Sequence, residues 1–380
     1  MTVFRLSNHP LVRWWWSLDR WTVILVLAIM VFGAAVITTA SSGVARGYNV
    51  DAYYFARRQF VFLLSALPLM VTFSMLNSKG MKQISLILFA IATLGVVATL
   101  FVGTDVKGAS RWINVGGFSL QPSEFLKPAF VVLTAWLMSS DQGESRLRGF
   151  FISAALLGVL SILFLLQPNF GMFVVVSCVW FGQMFMVGLP WQILGGLMSL
   201  VLMVMGTGYM LLPHVRSRIH RFLDPNSGDT YQIDRAMEAF FSGGFTGRGP
   251  GEGIIKQVLP DAHTDFIFAV IGEEFGILVC SAILLTYGII LFRSFLRLLE
   301  KGDRFTMLAG LGLLLQLGLQ ILINVGVALR LLPTTGATLP FISYGGSSTL
   351  ALAILVGFVL ALTRKGTQTN ALRKRPRQIP

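Results

Sequence analysis

Three of the five ionisable residues that fall at membrane depth lie within one short segment of otherwise largely apolar sequence. The segment 260–276 reads PDAHTDFIFAVIGEEFG and carries Asp265, Glu273 and Glu274. Ionisable side chains inside a membrane are costly and usually functional. Asp265 lies at the mouth of an apolar run, at the level where a membrane-bound lipid presents its polar end. A partly buried carboxylate at that level is suited to act as a general base on a substrate hydroxyl, which is the role that this position predicts.

A structural role is the alternative for each of these acidic residues. Thr264 or Asp265 could cap the following helix by accepting hydrogen bonds from its free backbone N–H groups. Glu273 and Glu274 lie deeper along the predicted helix by roughly 12–14 Å, which is too far for a direct pair with Asp265. For Glu273 and Glu274 we favour a structural ion pair or a place in a water-filled cavity.

Two further polar segments flank the apolar runs. The first, 110–128, reads SRWINVGGFSLQPSEFLKP and is expected to be re-entrant or interfacial. Its Trp112 could stack on a sugar or hold a lid, and an ordinary interfacial tryptophan is the equal alternative. Glu124 and Lys127 are three residues apart on one predicted span, so they can pair with each other. The second segment, 331–348, has proline-rich and glycine-rich backbone near membrane depth, so it should pack into an outer vestibule.

One predicted outer loop, about 213–264, is long and basic. Its positive charges lie on the side where membrane topology does not call for them, so they predict an anionic ligand. The alternative is that they only keep the loop out of the lipid. Within the loop, 231–241 has the apolar periodicity of a short surface helix, and the glycines of 243–253 permit either close approach to phosphate or a flexible loop. The basic residues are Arg216, Arg218, Arg221, Arg235, Arg248 and Lys256.

The composition indicates an all-α integral membrane protein. Hydrophobic residues make up 54% of the 380 residues and charged residues only 12%, about half the charged share of a soluble domain. About ten apolar runs approach the length that a transmembrane helix needs. They are 21–41, 57–76, 84–103, 122–140, 149–166, 170–187, 191–212, 265–292, 305–329 and 347–363. The predicted organisation is a cytoplasmic segment, 1–20, a membrane domain, 21–363, with the long loop between the seventh and eighth helices, and a basic tail, 364–380.

The distribution of Lys and Arg predicts that both termini face the cytoplasm. With the N-terminus inside, 17 basic residues fall on the inner side and 6 in the short outer loops, as the positive-inside rule expects. This topology accounts for much of the formal net charge of +13. Nucleic-acid binding is not expected, because no basic domain lies outside the membrane segments. Cys178 and Cys280 lie in apolar runs, where a disulfide or metal site is not expected.

Four stretches together resemble the SEDS family of cell-division and elongation proteins, FtsW, RodA and SpoVE. They are RWI at 111–113, QPSEFLKP at 121–128, LPDAHTDFIFAVIGEEFG at 259–276 and NVGVALRLLPTTGATLPFISYGGSS at 324–348. The resemblance extends over almost the whole chain, with the same number of spans and the same long outer loop. HTDFIFAVIGEE after Asp-Ala, and the ending ISYGGSS, resemble FtsW more than RodA. Ala337 stands where a larger aliphatic residue is expected.

The resemblance implies a peptidoglycan glycosyltransferase in the bacterial cytoplasmic membrane, joining lipid II units into glycan strands at the outer face during septal wall synthesis. It implies a class B penicillin-binding protein and other divisome membrane proteins as partners, and Asp265 as the catalytic residue. A direct inverting displacement is favoured, because one interfacial carboxylate is evident. A divalent cation, Mg²⁺ or Mn²⁺, could assist at the pyrophosphate. The expected substrate-binding residues are Trp112, Lys127, Arg216, Arg218, Arg221, Arg248, Lys256 and His263, and the expected supporting residues are Glu124, Glu273, Glu274, Ser343, Gly345 and Gly346.

Two other functions compete with polymerisation. A lipid II flippase would suit many spans with polar residues at depth, but the acidic residues and the long loop concentrate on one side, and no inverted repeat is visible. A non-enzymatic divisome scaffold is the third hypothesis. Glycan-strand formation by the purified protein separates them, because a flippase or a scaffold forms no strands.

Overall fold

The chain folds into a bundle of long apolar helices. The computed structural model describes residues 10–47, 50–106, 109–140, 143–211, 216–217 and 231–365. Within these ranges, nine helices are long and apolar enough to cross a membrane. The helices are α1 Pro10–Ser17, α2 Arg20–Gly47, α3 Tyr54–Ser74, α4 Ser78–Val102, α5 Pro122–Met138, α6 Gly143–Leu166, α7 Phe170–Val187, α8 Trp191–Leu211, α9 Tyr231–Gly243, α10 Ile267–Leu299, α11 Arg304–Ala328 and α12 Gly346–Thr363.

Helix α5 corresponds to the fourth predicted span, 122–140, which is not among the nine candidate membrane helices of the described residues. It has 17 residues, of which 14 are buried, including both Glu124 and Lys127. It packs against α4, α6, α7, α11 and α12. The all-α membrane fold is therefore confirmed, with nine candidate spans and a short central helix. The two charges of α5 lie inside protein and not against lipid.

The segment between α4 and α5 contains a small antiparallel sheet, which the sequence analysis did not predict. The strands are β1 Thr104–Val106, β2 Ala109–Val115 and β3 Phe118–Leu120, in the order β1-β2-β3. Gly116 and Gly117 form the turn between β2 and β3, with φ of 57° and 81°. Positive φ at both central residues belongs to the type I′ turn, whose twist matches that of a hairpin.

Helix α10 is broken near its outer end. The predicted span was 265–292, and the observed helix covers Ile267–Leu299 with non-helical backbone at Gly276, φ 77° and ψ 178°. This conformation is accessible to glycine and strained for other residues. The break separates a short half-helix, 267–275, from a long one, 277–299.

Helix α9 confirms the predicted surface helix over 231–241 and packs against α10. Its most buried residues include Ile233, Ala236 and Ala239. Phe241 belongs to the predicted apolar periodicity of 231–241 and is instead exposed. At 100° per residue, Phe241 lies about 140–160° around the helix from Ala236 and Ala239.

An ion-pair cluster joins the start of α2 to the end of α10. Asp19 Oδ2 accepts hydrogen bonds from Arg293 Nε at 2.6 Å and Thr22 Oγ1 at 3.0 Å, and Arg297 Nε lies 3.0 Å away. Burial by itself would raise the pKa of Asp19. The hydrogen bonds and the charges of both arginines outweigh burial, so the pKa lies below its ordinary value.

Candidate functional site

Asp265 lies in the turn 261–266, immediately before α10, and is half-buried. Phe266, and neither Thr264 nor Asp265, occupies the N-cap position of α10. The hydroxyl of Thr264 donates to Asp261 O at 3.2 Å. The alternative role of the Asp265 side chain as a cap for the first turn of α10 stays a prediction.

The backbone beneath Asp265 is fixed at three consecutive carbonyls. The donors are Tyr344 N to His263 O at 2.8 Å, Ser343 Oγ to Thr264 O at 2.7 Å and Asn324 Nδ2 to Asp265 O at 3.0 Å. Two of these donors lie in the segment between α11 and α12, and the third lies on α11. A catalytic group has to be held by its surroundings to within a fraction of an ångström, and these bonds provide such support.

The segment 331–345 passes beside Asp265, and its part 339–343 is buried in the protein, whereas Leu331 and Leu332 are exposed. Packing of 331–348 into an outer vestibule stays a prediction. Tyr287 Oη donates to Pro340 O at 2.5 Å, and Asn324 Nδ2 donates to Ala337 O at 2.7 Å. Gly336 has φ of 80°, and a Cβ at this position would lie 3.9 Å from Asp265 Oδ2. The glycine therefore lets the backbone turn beside the carboxylate without a side chain there.

The glycine-rich segment 243–253 fills the break in α10. Ile277 N donates to Gly244 O at 3.0 Å, and Arg248 N donates to Glu273 O at 2.9 Å. A Cβ on Gly276 would lie 2.3 Å from Phe245 O. These contacts satisfy backbone groups that a broken helix exposes. The glycines thus permit close backbone packing. The hydrogen bond from Arg248 N to Glu273 O uses a backbone N–H group that a phosphate-binding loop would direct at the phosphate.

Glu273, Glu274 and Lys256 form a buried electrostatic core under this segment. The Glu273 carboxylate accepts hydrogen bonds from the backbone N of Ile254 at 2.7 Å, Ile255 at 2.7 Å and Lys256 at 3.0 Å. Glu274 pairs with the Lys256 ammonium and accepts from Thr39 Oγ1 at 2.7 Å. The favoured interpretation of a structural ion pair is confirmed for Glu274.

Lys256 is placed differently from its predicted role at the pyrophosphate. Its side chain is 3% exposed, and its ammonium also donates to Gly251 O at 3.0 Å. Because Glu274 already neutralises this charge inside the protein, Lys256 is not placed to contact substrate. The charge of Lys256 predicted a ligand contact, and a buried partner on another element accounts for that charge instead.

Lys127 and Glu124 pair, as their spacing predicted. Lys127 Nζ lies 2.9 Å from Glu124 Oε2 and donates to Gln320 Oε1 at 3.4 Å. Gln320 in turn donates to Thr338 O at 3.1 Å. Lys127 is therefore placed as a buried brace for the segment that carries Gly336, and not as an exposed contact for substrate.

His263 and Trp112 lie on different elements, the turn before α10 and strand β2. The His263 ring is buried, with the Phe55 ring centroid at 4.7 Å and the Tyr344 centroid at 5.4 Å. Trp112 is half-buried on β2. The end of its sheet is joined to α12, because Gln121 N donates to Ser347 Oγ at 2.8 Å. The roles of His263 and Trp112 in substrate binding stay predictions.

The three predicted supporting residues at the start of α12 are placed as supports. Ser343 Oγ accepts from Leu339 N at 2.8 Å in addition to its bond to the turn. Gly345 N donates to Gln59 Oε1 at 3.2 Å. A Cβ on Gly346 would lie 2.5 Å from the Phe62 ring, so this glycine permits the close approach of α3 and α12.

Of the four remaining predicted basic contacts, two lie within the part of the chain that the structure describes. Arg216 and Arg248 are exposed, whereas Arg218 and Arg221 lie outside the described residues. The backbone of Arg248 is bonded to Glu273, which is about 12 Å along a helix from Asp265. The role of these arginines at a pyrophosphate stays a prediction. For Arg248, it requires that the side chain or the substrate extend over this distance.

The described residues do not make a metal site on their own. Within them, no group of three or more His, Cys, Asp or Glu residues is arranged to hold an ion. Mg²⁺ requires six ligands in near-octahedral geometry, often with substrate phosphates among them. Asp265 alone does not meet this requirement, so no catalytic step is assigned to the expected Mg²⁺ or Mn²⁺.

Comparison with known proteins identifies the family. The model of the cell cycle protein family FtsW/RodA/SpoVE matches residues 19–368. The chain belongs to the FtsW/RodA/SpoVE family. It is 37% identical over 362 residues to the probable peptidoglycan glycosyltransferase FtsW of Caulobacter vibrioides, covering 95% of this chain and 93% of that protein. It is 34% identical to the protein of the same description from Coxiella burnetii, covering 91% and 96%.

Solved structures of the FtsW/RodA/SpoVE fold agree with the bundle described above. One is a chain of a peptidoglycan synthase complex, studied for the structural coordination of polymerization and crosslinking. It has a TM-score of 0.76, 30% identity, and coverage of 91% of this chain and 98% of that chain. The rod shape determining protein RodA of Thermus thermophilus has a TM-score of 0.68 and 28% identity, with coverage of 92% and 97%.

Three residues of this FtsW/RodA/SpoVE member were not singled out from the sequence. Asn324 and Gln320 hold the segment beside Asp265, and Gly336 faces its carboxylate. A signal was present for the first two, since buried polar residues four apart in an apolar helix share one face. The sequence around Gly336 does not indicate its role, because a glycine in a loop is common and its distance from Asp265 depends on the tertiary fold.

Proposed function

We propose that this chain is a peptidoglycan glycosyltransferase that polymerises lipid II at the outer face of the bacterial cytoplasmic membrane, for septal wall synthesis. The placement of Asp265 is the observation that carries the proposal. Its carboxylate is half-buried at the entrance of α10, on a turn held at three consecutive carbonyls. The relatives named probable peptidoglycan glycosyltransferase support the same reaction class.

The reaction is a displacement at the anomeric carbon of a lipid-linked sugar. Asp265 accepts the proton of the acceptor hydroxyl, and the acceptor oxygen forms the new glycosidic bond. The bond between the anomeric carbon and the pyrophosphate breaks, and its electron pair leaves with the lipid pyrophosphate. A single displacement with one carboxylate inverts the anomeric configuration. Arg216, Arg218, Arg221 and Arg248 are the proposed cations for the developing negative charge.

The proposed location is the cytoplasmic membrane at the division septum, with both termini inside. Nine candidate membrane helices support multi-pass insertion, and the excess of Lys and Arg on one side supports the orientation. The proposed partners are a class B penicillin-binding protein and other divisome membrane proteins. The resemblance to a chain of a peptidoglycan synthase complex supports the first of them.

Internal pairing of the buried charges weighs against the flippase hypothesis. A transport path needs polar groups that are available to the moving headgroup. Among the described residues, the buried Lys127 pairs with Glu124 and the buried Lys256 with Glu274, so these charges are engaged inside the protein. A scaffold, in turn, has no use for a carboxylate held on a rigid turn at a membrane surface.

Polymerisation by purified protein tests the proposal. The full chain in detergent is given lipid II, alone and with a class B penicillin-binding protein, and glycan strands are separated by length. Strands are expected in at least the sample with the partner. The Asp265→Asn protein, purified identically, controls for contaminating polymerases. Absence of strands above this control in both samples would contradict the proposal and favour a flippase or a scaffold.

A further inference from the structure

We propose that Asn324 is the positioning residue for Asp265 in this reaction, an inference that rests on the proposed function. The Asn324 side chain is buried, with 1% of the residue exposed. Its amide nitrogen carries two protons, and each has a different acceptor. One bond goes to Asp265 O at 3.0 Å and the other to Ala337 O at 2.7 Å.

These two acceptors belong to the two segments that enclose the carboxylate. Asp265 O is in the turn before α10, and Ala337 follows Gly336, at which a Cβ would lie 3.9 Å from Asp265 Oδ2. One planar amide therefore sets the separation between the general base and the backbone on the other side of it. A change of length or chemistry at Asn324 alters this separation directly.

The position of Asn324 on α11 distinguishes it from the other supports. Gln320 lies one turn earlier on α11. Its side-chain amide is hydrogen-bonded to Thr338, Ser348 and Lys127, none of which is in the turn of Asp265. Ser343 joins Thr264 to Leu339, but it lies within the loop itself. Asn324 projects from a 25-residue helix. A long packed helix provides a fixed reference for both segments, which a loop residue does not.

Loss of the amide should affect turnover more than substrate affinity. Both carbonyls would lose a buried donor, and the turn and the loop would relax away from each other. A displacement of about 1 Å can cost on the order of 100-fold in rate, because proton transfer needs a heavy-atom distance near 2.6–3.2 Å. Asn324 is itself buried behind Asp265, so contacts to the lipid and to the peptide of the substrate remain.

The test compares Asn324→Leu with a matched change on the same helix. Gln316 is also buried on α11, with 2% of the residue exposed, and its Oε1 has no hydrogen-bond partner. Gln316→Leu removes a buried amide of the same helix without touching Asp265. For Asn324→Leu we expect kcat to fall by about 30- to 100-fold with KM for lipid II within about threefold of wild type. Gln316→Leu should retain kcat within about twofold.

Each outcome decides the inference. Thermal unfolding in detergent gives the folded fraction by which each rate is divided. Wild-type kcat in Asn324→Leu, or an equal loss in Gln316→Leu, would overturn the positioning role. If Asn324→Leu does not fold, Asn324→Gln replaces it, because it keeps the amide and moves it by one methylene. A fall in kcat of at least tenfold is then expected, and wild-type kcat would overturn the role.

Failure of the inference is distinguishable from failure of the proposed function. Asp265→Asn is measured in the same assay. An active Asp265→Asn protein would remove the general base, and the positioning role with it. An inactive Asp265→Asn protein together with a normal Asn324→Leu protein would overturn the positioning role alone.

Discussion

Replacing Gly336 by alanine would place a methyl group beside the carboxylate that we assign as the general base. The new Cβ would lie 3.9 Å from Asp265 Oδ2, which is ordinary van der Waals contact and not a clash. An acceptor hydroxyl, however, must come within about 2.6–3.2 Å of the same carboxylate. The methyl group therefore competes with substrate for the space beside Asp265, while the protein itself can still accommodate it.

The backbone cost of this substitution is modest and can be matched by a control. The φ of Gly336 is 80°, and left-handed backbone costs a non-glycine residue about 1–2 kcal/mol. Gly188, at the end of α7, has φ of 79° and open space around its Cβ position. Gly188→Ala therefore introduces similar backbone strain far from the turn of Asp265.

Lipid II polymerisation and thermal unfolding are measured for both variants. Together they distinguish an effect of backbone strain from an effect of the methyl group on substrate access to Asp265. We expect similar small decreases in the unfolding midpoint. Polymerisation by Gly336→Ala should fall by about 10- to 100-fold, and polymerisation by Gly188→Ala should stay within about twofold of wild type. Equal activity of the two variants would refute the argument that Gly336 keeps the space beside Asp265 open.

Three further predictions concern charge and topology. Arg248→Ala should raise KM for lipid II at least threefold. Arg235→Ala removes an equal charge that Glu238 already pairs, so it should leave KM unchanged. Equal effects of the two variants in steady-state kinetics would mean that both arginines only keep the loop solvated. Asp19→Asn should destabilise the protein by about 1.5–3 kcal/mol at pH 7. The pKa of Asp19 in the folded protein lies below its ordinary value of 3.8. The contribution of Asp19 to the free energy of unfolding is therefore present above pH 3.8 and is lost as the pH falls through the folded pKa. A stability difference between wild type and Asp19→Asn that persists in full at low pH would contradict this linkage. Reporter fusions within 225–255 should report the outer face and fusions after Thr363 the cytoplasm, and the opposite result would overturn the orientation.

The helical spans were predictable because their signal is local. A run of about 20 apolar residues has few stable alternatives to a membrane helix, so hydropathy alone located nearly all of the bundle. Asp265 was predictable for a related reason, since an acidic residue at the mouth of an apolar run is costly without a function. The pair of Glu124 and Lys127 followed from helical spacing.

The β-hairpin was missed although its signal was present. The segment 109–115 contains the strand-favouring residues Trp112, Ile113 and Val115 and is followed by Gly116-Gly117-Phe118; a two-residue glycine turn after such a run predicts a hairpin. The surrounding apolar runs favour helices and interfacial segments instead. This miss reflects an unrecognised turn and not an absence of information.

The break at Gly276 and the pairing of Lys256 could not be read from local sequence. A glycine inside an apolar run is common in membrane helices. Its non-helical conformation here depends on backbone from 243–249 filling the gap, which is a tertiary contact. Likewise, Lys256 has the sequence context of an exposed loop residue, and only packing against Glu274 buries it. Such long-range contacts decide which of the basic residues remain available to a ligand.

Polymerisation by Asp265→Asn tests the general-base role of this residue most directly. The amide retains the size of the side chain and its hydrogen-bonding capacity, and it cannot accept the proton of the acceptor hydroxyl. General base catalysis typically contributes about 10²–10⁴-fold. We therefore expect strand formation to fall by at least 100-fold, with expression, thermal unfolding and lipid II binding preserved. Near-normal polymerisation by the purified Asp265→Asn protein would contradict the account and remove Asp265 from the mechanism.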